Sequence, residues 1–138
     1  MVSEDFSVPP CDVLVVDDQL FHRDMVTEML RAKGLRVEAV ASGEEAIAAY
    51  AKLEEKPVLL MDNVMPNMSG VEATMAIKSI DASAKIIFVS SDVSHRQDAI
   101  DAGALGFVSK PFKIAEVFAA ISWARSFVAP TEAGSDAG

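Results

Sequence analysis

Val58-Leu59-Leu60-Met61-Asp62 is a run of apolar residues that ends abruptly on a carboxylate, and it has counterparts along the chain. Val13-Leu14-Val15-Val16 runs into Asp17-Asp18, Ile86-Ile87-Phe88-Val89 into Ser90-Ser91, and the short stretch Leu105–Val108 toward Lys110. A strand wet on one side alternates apolar and polar residues. Continuous apolar runs predict strands covered on both faces, hence a parallel sheet between helices. Leu35–Val40, which alternates, adds another strand to the set.

Helical patterns fill the intervals. Met25, Val26, Met29 and Leu30 recur at three- and four-residue steps, and Gly34 stops that helix. Ser42-Gly43-Glu44-Glu45 and Ser69-Gly70-Val71-Glu72 each place a serine cap three residues before a glutamate. They open the second and third helices, the third running through about Ile80. The spacing predicts a fourth helix from Ser94 to about Ala102 and a fifth from Lys113 to about Val128. Five strand–helix pairs joined by right-handed crossovers make an α/β fold, a single doubly wound five-stranded parallel sheet with five helices. The chain is too short for an eight-stranded barrel. Residues 12–128 read as one domain, 1–11 as an N-terminal extension, and the aperiodic stretch 129–138 as a disordered tail.

Composition narrows the function. Of 138 residues, 12 are Lys or Arg and 21 are Asp or Glu, a formal net charge of −9. With 51% hydrophobic residues there is ample material for one core. The acidic balance argues against a nucleic-acid partner, because phosphate backbones are held by Lys/Arg clusters. Cys11 is the single cysteine and can form neither an internal disulfide nor a cysteine-type zinc site. No apolar run reaches the ~18–20 residues that span a bilayer, and the opening Met1-Val2-Ser3-Glu4-Asp5 is acidic where a secretion signal is basic. These features predict a cytoplasmic protein in a reducing compartment, with neither membrane nor nucleic acid as partner.

In a doubly wound sheet, ligands bind beyond the carboxyl ends of the strands. Asp17-Asp18, Asp62, Ser90-Ser91 and Lys110 all fall there. A lone Asp at such a place is as often a helix cap. Three crowded carboxylates repel one another unless a cation joins them, and a hard, oxygen-ligated ion such as Mg²⁺ is the natural one. Lys110 can pair with a carboxylate in the empty site or with a phosphoryl oxygen in the loaded one. A carboxylate beside Mg²⁺ and Lys can attack phosphorus and form an acyl phosphate. A salt-bridge network that only tidies the strand ends is the competing reading.

Val15-Val16-Asp17-Asp18, Met61-Asp62-Asn63-Val64-Met65-Pro66-Asn67-Met68-Ser69-Gly70, Val89-Ser90-Ser91 and Gly106-Phe107-Val108-Ser109-Lys110-Pro111-Phe112 together carry a resemblance. From about Asp12 to Val128 the chain resembles the receiver domains of two-component response regulators, the stand-alone kind typified by the chemotaxis regulator. The resemblance implies a flavodoxin-like strand order 2-1-3-4-5. It implies that Asp62 accepts a phosphoryl group from a sensor histidine kinase or phosphotransfer protein. Asp18, Asp62 and the backbone carbonyl of Val64 would ligate Mg²⁺, with Asp17 acting through water. Ser90 would be the hydroxyl that swings to the phosphoryl group and Lys110 its ion-pair partner. The Lys110–Pro111 bond is expected to be cis.

Phe107 occupies the place of the aromatic residue that, in receivers, moves inward on phosphorylation; a plain core phenylalanine is the competing reading. In the last helix Ile114, Val117, Ile121, Ala124 and Val128 form the inward stripe. Trp123 and Phe127, with Ala119 and Ala120, leave an apolar patch, read as an output surface for a downstream target protein or a phosphorylation-dependent homodimer. The alternative is that the tail folds back over Trp123. His22 and His95 lack partners at metal or triad spacing and read as a partly packed and a solvated helix residue.

Two rival functions stay open. A haloacid-dehalogenase-like phosphohydrolase also uses Asp, Mg²⁺, Ser/Thr and Lys, but it carries its second Asp two residues after the first. Here Asp17 and Asp18 are adjacent and Gln19 takes that place. A receiver-shaped scaffold that is never phosphorylated is opposed by the complete acidic set. The protein is not expected to be an enzyme beyond catalysing its own phosphorylation and dephosphorylation. With no output domain after Val128, its signal is expected to act in trans through protein–protein contact.

Overall fold

The computed structural model describes residues 6–127. The expected tail 129–138, the predicted helix end at Val128 and the first part of the N-terminal extension lie outside the described residues. Strands and helices alternate as β1 (Val13–Val16), α1 (Leu20–Arg31), β2 (Val37–Val40), α2 (Gly43–Lys52), β3 (Val58–Asp62), α3 (Gly70–Ile80), β4 (Ile86–Ser90), α4 (Arg96–Ala102), β5 (Gly106–Ser109) and α5 (Ile114–Ser126). All neighbouring strands are parallel, in the order β2-β1-β3-β4-β5.

The apolar runs do what their patterning requires. Every residue of Val13–Val16 and of Ile86–Ser90 is buried. Alternate residues of one strand feed opposite cores. Leu14, Val16, Leu59, Met61 and Phe88 pack with Tyr50 and Ile77 from α2 and α3. Val13, Val15, Leu60, Ile87 and Val89 pack with Val26 and Leu30 from α1 and with Val117 and Ile121 from α5. Each such side chain removed from water contributes roughly 1.5–3 kcal/mol.

Both serine caps form. Ser42 accepts the Glu45 N–H, and Ser69 with Glu72 makes the full reciprocal box. Gly34 adopts the left-handed conformation, φ 91°, just past the end of α1.

The helical pattern of Met25, Val26, Met29 and Leu30 falls within α1, whose buried face is Val26, Thr27 and Leu30, with Met25 and Met29 exposed. Three sequence expectations need correction. The fourth helix begins at Arg96, not Ser94. The Asp92 carboxylate accepts the Ser94 N–H and caps a 3₁₀ turn, Val93–His95, ahead of it. The last helix ends at Ser126, and Phe127 is already extended at φ −69°, ψ 130°. The alternating strand begins at Val37 instead of Leu35.

At the N-terminal edge of the sheet, Asp12 accepts the Arg36 N–H at 2.8 Å and its guanidinium at 2.9 Å. The Arg125 guanidinium of α5 reaches the same carboxylate at 3.3 Å. Cys11 is buried beside it, and that burial pushes its thiol up to about 11, which removes it from nucleophilic chemistry at neutral pH. No helix among the described residues is long and apolar enough to cross a membrane.

Candidate functional site

Parallel register brings the polar residues that end each strand to one level. Val16 lies beside Met61, Asp62 beside Val89, and Ser90 beside Ser109. One further residue on β1 and β5 therefore delivers Asp17 and Lys110 to the edge that Asp62 and Ser90 occupy. Carboxylate oxygens of Asp17, Asp18 and Asp62 lie within 4.8 Å of one another, close enough to hold a metal ion. Lys110 Nζ stands 3.7 Å from Asp62 Oδ1, and the Lys110–Pro111 peptide bond is cis, as expected.

The electrostatics are strained. Burial, above all, raises the Asp62 carboxyl above the ordinary carboxylate range; Lys110 opposes that rise, while Asp17 and Asp18 add to it. The Val64 backbone N–H donates toward Asp62 and opposes the rise as well. Asp18 keeps one oxygen, Oδ1, buried with no hydrogen-bond partner. A buried, unpaired carboxylate oxygen is costly unless a cation meets it. An all-oxygen donor set of this kind fits a hard divalent ion.

Gly70 sets how closely α3 approaches the site. A Cβ there would lie 2.5 Å from the Asp62 carbonyl oxygen and 2.8 Å from Asn63 Cα, so any larger residue would displace the strand end. The Gly70 N–H donates to the Asn63 carbonyl at 2.9 Å across the same contact.

Ser90 is buried, and its hydroxyl oxygen accepts the Asp92 N–H at 3.1 Å. From Asp92 a polar chain returns to the end of β3. His95 Nε2 lies 3.6 Å from Asp92 Oδ2, and His95 Nδ1 lies 2.8 Å from the side-chain nitrogen of Asn63, the residue after Asp62. His95, expected to be solvated, is thus a bridge between the β3 and β4 ends. His22, expected to be only packed, pairs with Asp17 at 2.5 Å. Neither role has a sequence signal beyond position, because His22 falls in the first turn after Asp17-Asp18 and His95 shortly after Ser90.

Phe107 is half-buried against the α2/α3 core, with the Arg96 guanidinium 5.9 Å from its ring centre. Trp123 and Phe127 are not brought to this edge. Trp123 lies on the outer side of α5, about half exposed, with its ring 5.2 Å from that of Phe127 just past the helix end.

The sequence profile of the response regulator receiver domain matches residues 13–122. This chain belongs to that family. The receiver is 41% identical over 113 residues to the chemotaxis protein CheY of Bacillus subtilis, a match covering 80% of this chain and 93% of that protein. Its structure resembles the chemotaxis protein CheY4 of Vibrio cholerae with a TM-score of 0.74 at 30% identity, over 80% of this chain and 94% of the other. It also resembles the response regulator TrrA of Thermotoga maritima in complex with Mg²⁺ and BeF. There the TM-score is 0.75 at 28% identity, over 81% of this chain and 96% of that one. A receiver domain is a signalling module of two-component systems, and the strand order of this one is the order of that fold.

Proposed function

We propose that residues 12–128 form a phospho-accepting receiver in which Asp62 takes a phosphoryl group from a sensor histidine kinase or phosphotransfer protein. The observation that carries this reading is Asp62 itself, a part-buried carboxylate gathered with those of Asp17 and Asp18 and standing 3.7 Å from the Lys110 ammonium. An Asp62 oxygen attacks phosphorus, the bond from phosphorus to the donor breaks, and an acyl phosphate remains on the side chain. Asp18, Asp62 and the Val64 carbonyl would hold Mg²⁺, with Asp17 acting through water. When bound, the ion supplies positive charge against the carboxylates and the incoming phosphoryl oxygens.

Lys110 holds a charge-assisted contact to the phosphoryl group once Asp62 is phosphorylated. The Ser90 hydroxyl, released from the Asp92 N–H, donates a hydrogen bond to a phosphoryl oxygen. That movement frees the turn leading into α4, and Phe107 follows into the space beside the α2/α3 core. Trp123 and Phe127 then report the change on an output surface for a downstream target protein or a second copy of the chain. Catalysis is confined to the chain's own phosphorylation and dephosphorylation. The phosphohydrolase alternative gains no support from Gln19, which offers only its backbone N–H to Asp17.

The test is incubation with acetyl phosphate and Mg²⁺, followed by intact mass measurement. A base-labile increase of one phosphoryl group, absent in chelator, is the expected result. No increase would support a silent scaffold, and continuous turnover of an unrelated phosphomonoester would support the hydrolase.

A further inference from the structure

His22 has no part in the reaction above, yet its contacts fall on the acidic cluster. Its Nδ1 lies 2.5 Å from Asp17 Oδ2. A carboxylate only accepts, so the imidazole N–H is the donor. The other Asp17 oxygen, Oδ1, accepts the Gln19 backbone N–H at 2.9 Å. The Arg23 guanidinium donates to the Asp17 carbonyl at 2.8 Å. Gln19, the N-cap of α1, and His22 and Arg23 of its first turn therefore grip Asp17 at three points.

The other two carboxylates are held differently. Asp18 keeps a buried oxygen with no hydrogen-bond partner, and Asp62 takes one backbone donor, the Val64 N–H, with Lys110 Nζ 3.7 Å away. Asp17 is thus fixed in place, while Asp18 and Asp62 stay open to a direct bond. With one donor on each oxygen, Asp17 retains lone-pair directions for a water but lacks the bare oxygen that Asp18 presents. His22 also meets Phe112 edge-on, ring centres 6.3 Å apart at 69°. Phe112 lies two residues beyond Lys110, so one ring braces Asp17 against the loop that carries the site's cation.

We infer that His22 is a positioning residue for the divalent ion: its N–H orients Asp17 to hold a metal-bound water. The inference rests on the Mg²⁺ reading above. Groups that orient a metal's ligands change affinity about 10- to 100-fold when lost.

The experiment is a calorimetric Mg²⁺ titration of the full chain without phosphodonor, for wild type, His22→Phe and His22→Asn. Phenylalanine keeps a ring against Phe112 but has no donor. Asparagine places an amide N–H where Nδ1 stands. His22→Phe should bind Mg²⁺ about 10- to 100-fold more weakly with its metal-free melting temperature nearly unchanged, and His22→Asn should recover most of the affinity. Wild-type affinity in His22→Phe, or equal loss in both variants, would overturn the inference while leaving the metal reading intact. A wild type that itself fails to bind Mg²⁺ would overturn the metal reading, and the role of His22 with it.

Discussion

Asp12 and Asp62 stand at opposite edges of one sheet and meet opposite electrostatics. The Arg36 side chain, with lesser help from Arg125, holds the Asp12 carboxyl below the ordinary carboxylate range. Asp62 is pushed the other way by burial, and Asp17 and Asp18 add to the push. The N-terminal edge has its charges matched and anchors α5 and the α1–β2 connection to β1. The C-terminal edge leaves charge unresolved, a condition the fold tolerates because its two cores supply the stability. A carboxyl raised by burial beside like charges, as Asp62 is, points to the C-terminal edge as the working end of the molecule.

Substitution of each aspartate by asparagine breaks the comparison most sharply. Asp62→Asn should abolish phosphorylation entirely, and in Mg²⁺-free buffer its thermal melt should match or exceed that of the wild type, since one repelling charge is gone. Asp12→Asn should still be phosphorylated. It should lose about 1 kcal/mol, because the guanidiniums it holds are half in water and their pairing is screened. A large loss of stability in Asp62→Asn would argue against a crowded carboxylate cluster.

Metal should act on one edge only. A ligand at a hundredfold excess over its Kd adds about 2.7 kcal/mol to the native state. Melting curves should therefore rise with Mg²⁺ in wild type and in Asp12→Asn, and Ca²⁺ should serve less well. The rise should vanish in Asp18→Asn. A melting temperature that ignores Mg²⁺ in the wild type contradicts the assignment.

Acidity should separate the two edges by sign. Because the Asp62 pKa is raised, its contribution is fully present below the ordinary carboxylate value near 3.8 and is lost as pH rises through the raised one. The advantage of metal-free Asp62→Asn should therefore be absent in acid, grow as pH climbs from about 3.8 through the raised value, and level off above it. Because the Asp12 pKa is lowered, its contribution is present above about 3.8 and is lost as pH falls through the lowered value. The penalty of Asp12→Asn should accordingly shrink in acid. Parallel pH profiles for the two variants would contradict the electrostatic contrast.

The smallest effect belongs to the outer face of α5. Trp123→Lys should leave the phosphorylation rate at Asp62 nearly unchanged while weakening any phosphorylation-dependent dimer or partner complex, as followed by light scattering with beryllofluoride. Intact association, or a slowing as severe as that of Lys110→Ala, would remove Trp123 from the output surface.

The working edge was legible in the sequence because parallel register turns a list of strand ends into a place. Runs that stop on Asp17, Asp62, Ser90 and Lys110 need no side-chain detail to converge. The bracing of that edge was not legible. His22 and His95 act through helix and turn geometry that folds a side chain back over the preceding strand end, and a single histidine carries no spacing to announce this. Asn63 is similar, since its partner lies 32 residues away. The misplaced ends have local causes. The Asp92 cap inserted a 3₁₀ turn before α4, and Phe127 leaves the helical conformation at the end of α5.

The most direct test of the central claim is to locate the phosphoryl group. Protein treated with acetyl phosphate and Mg²⁺ is reduced with borohydride, which converts an aspartyl phosphate to homoserine, and is then mapped by peptide mass spectrometry. The account predicts homoserine at position 62 alone, and none when Mg²⁺ is chelated. Homoserine at position 17 or 18, or an unmodified Asp62 in protein that carries phosphate elsewhere, would contradict it.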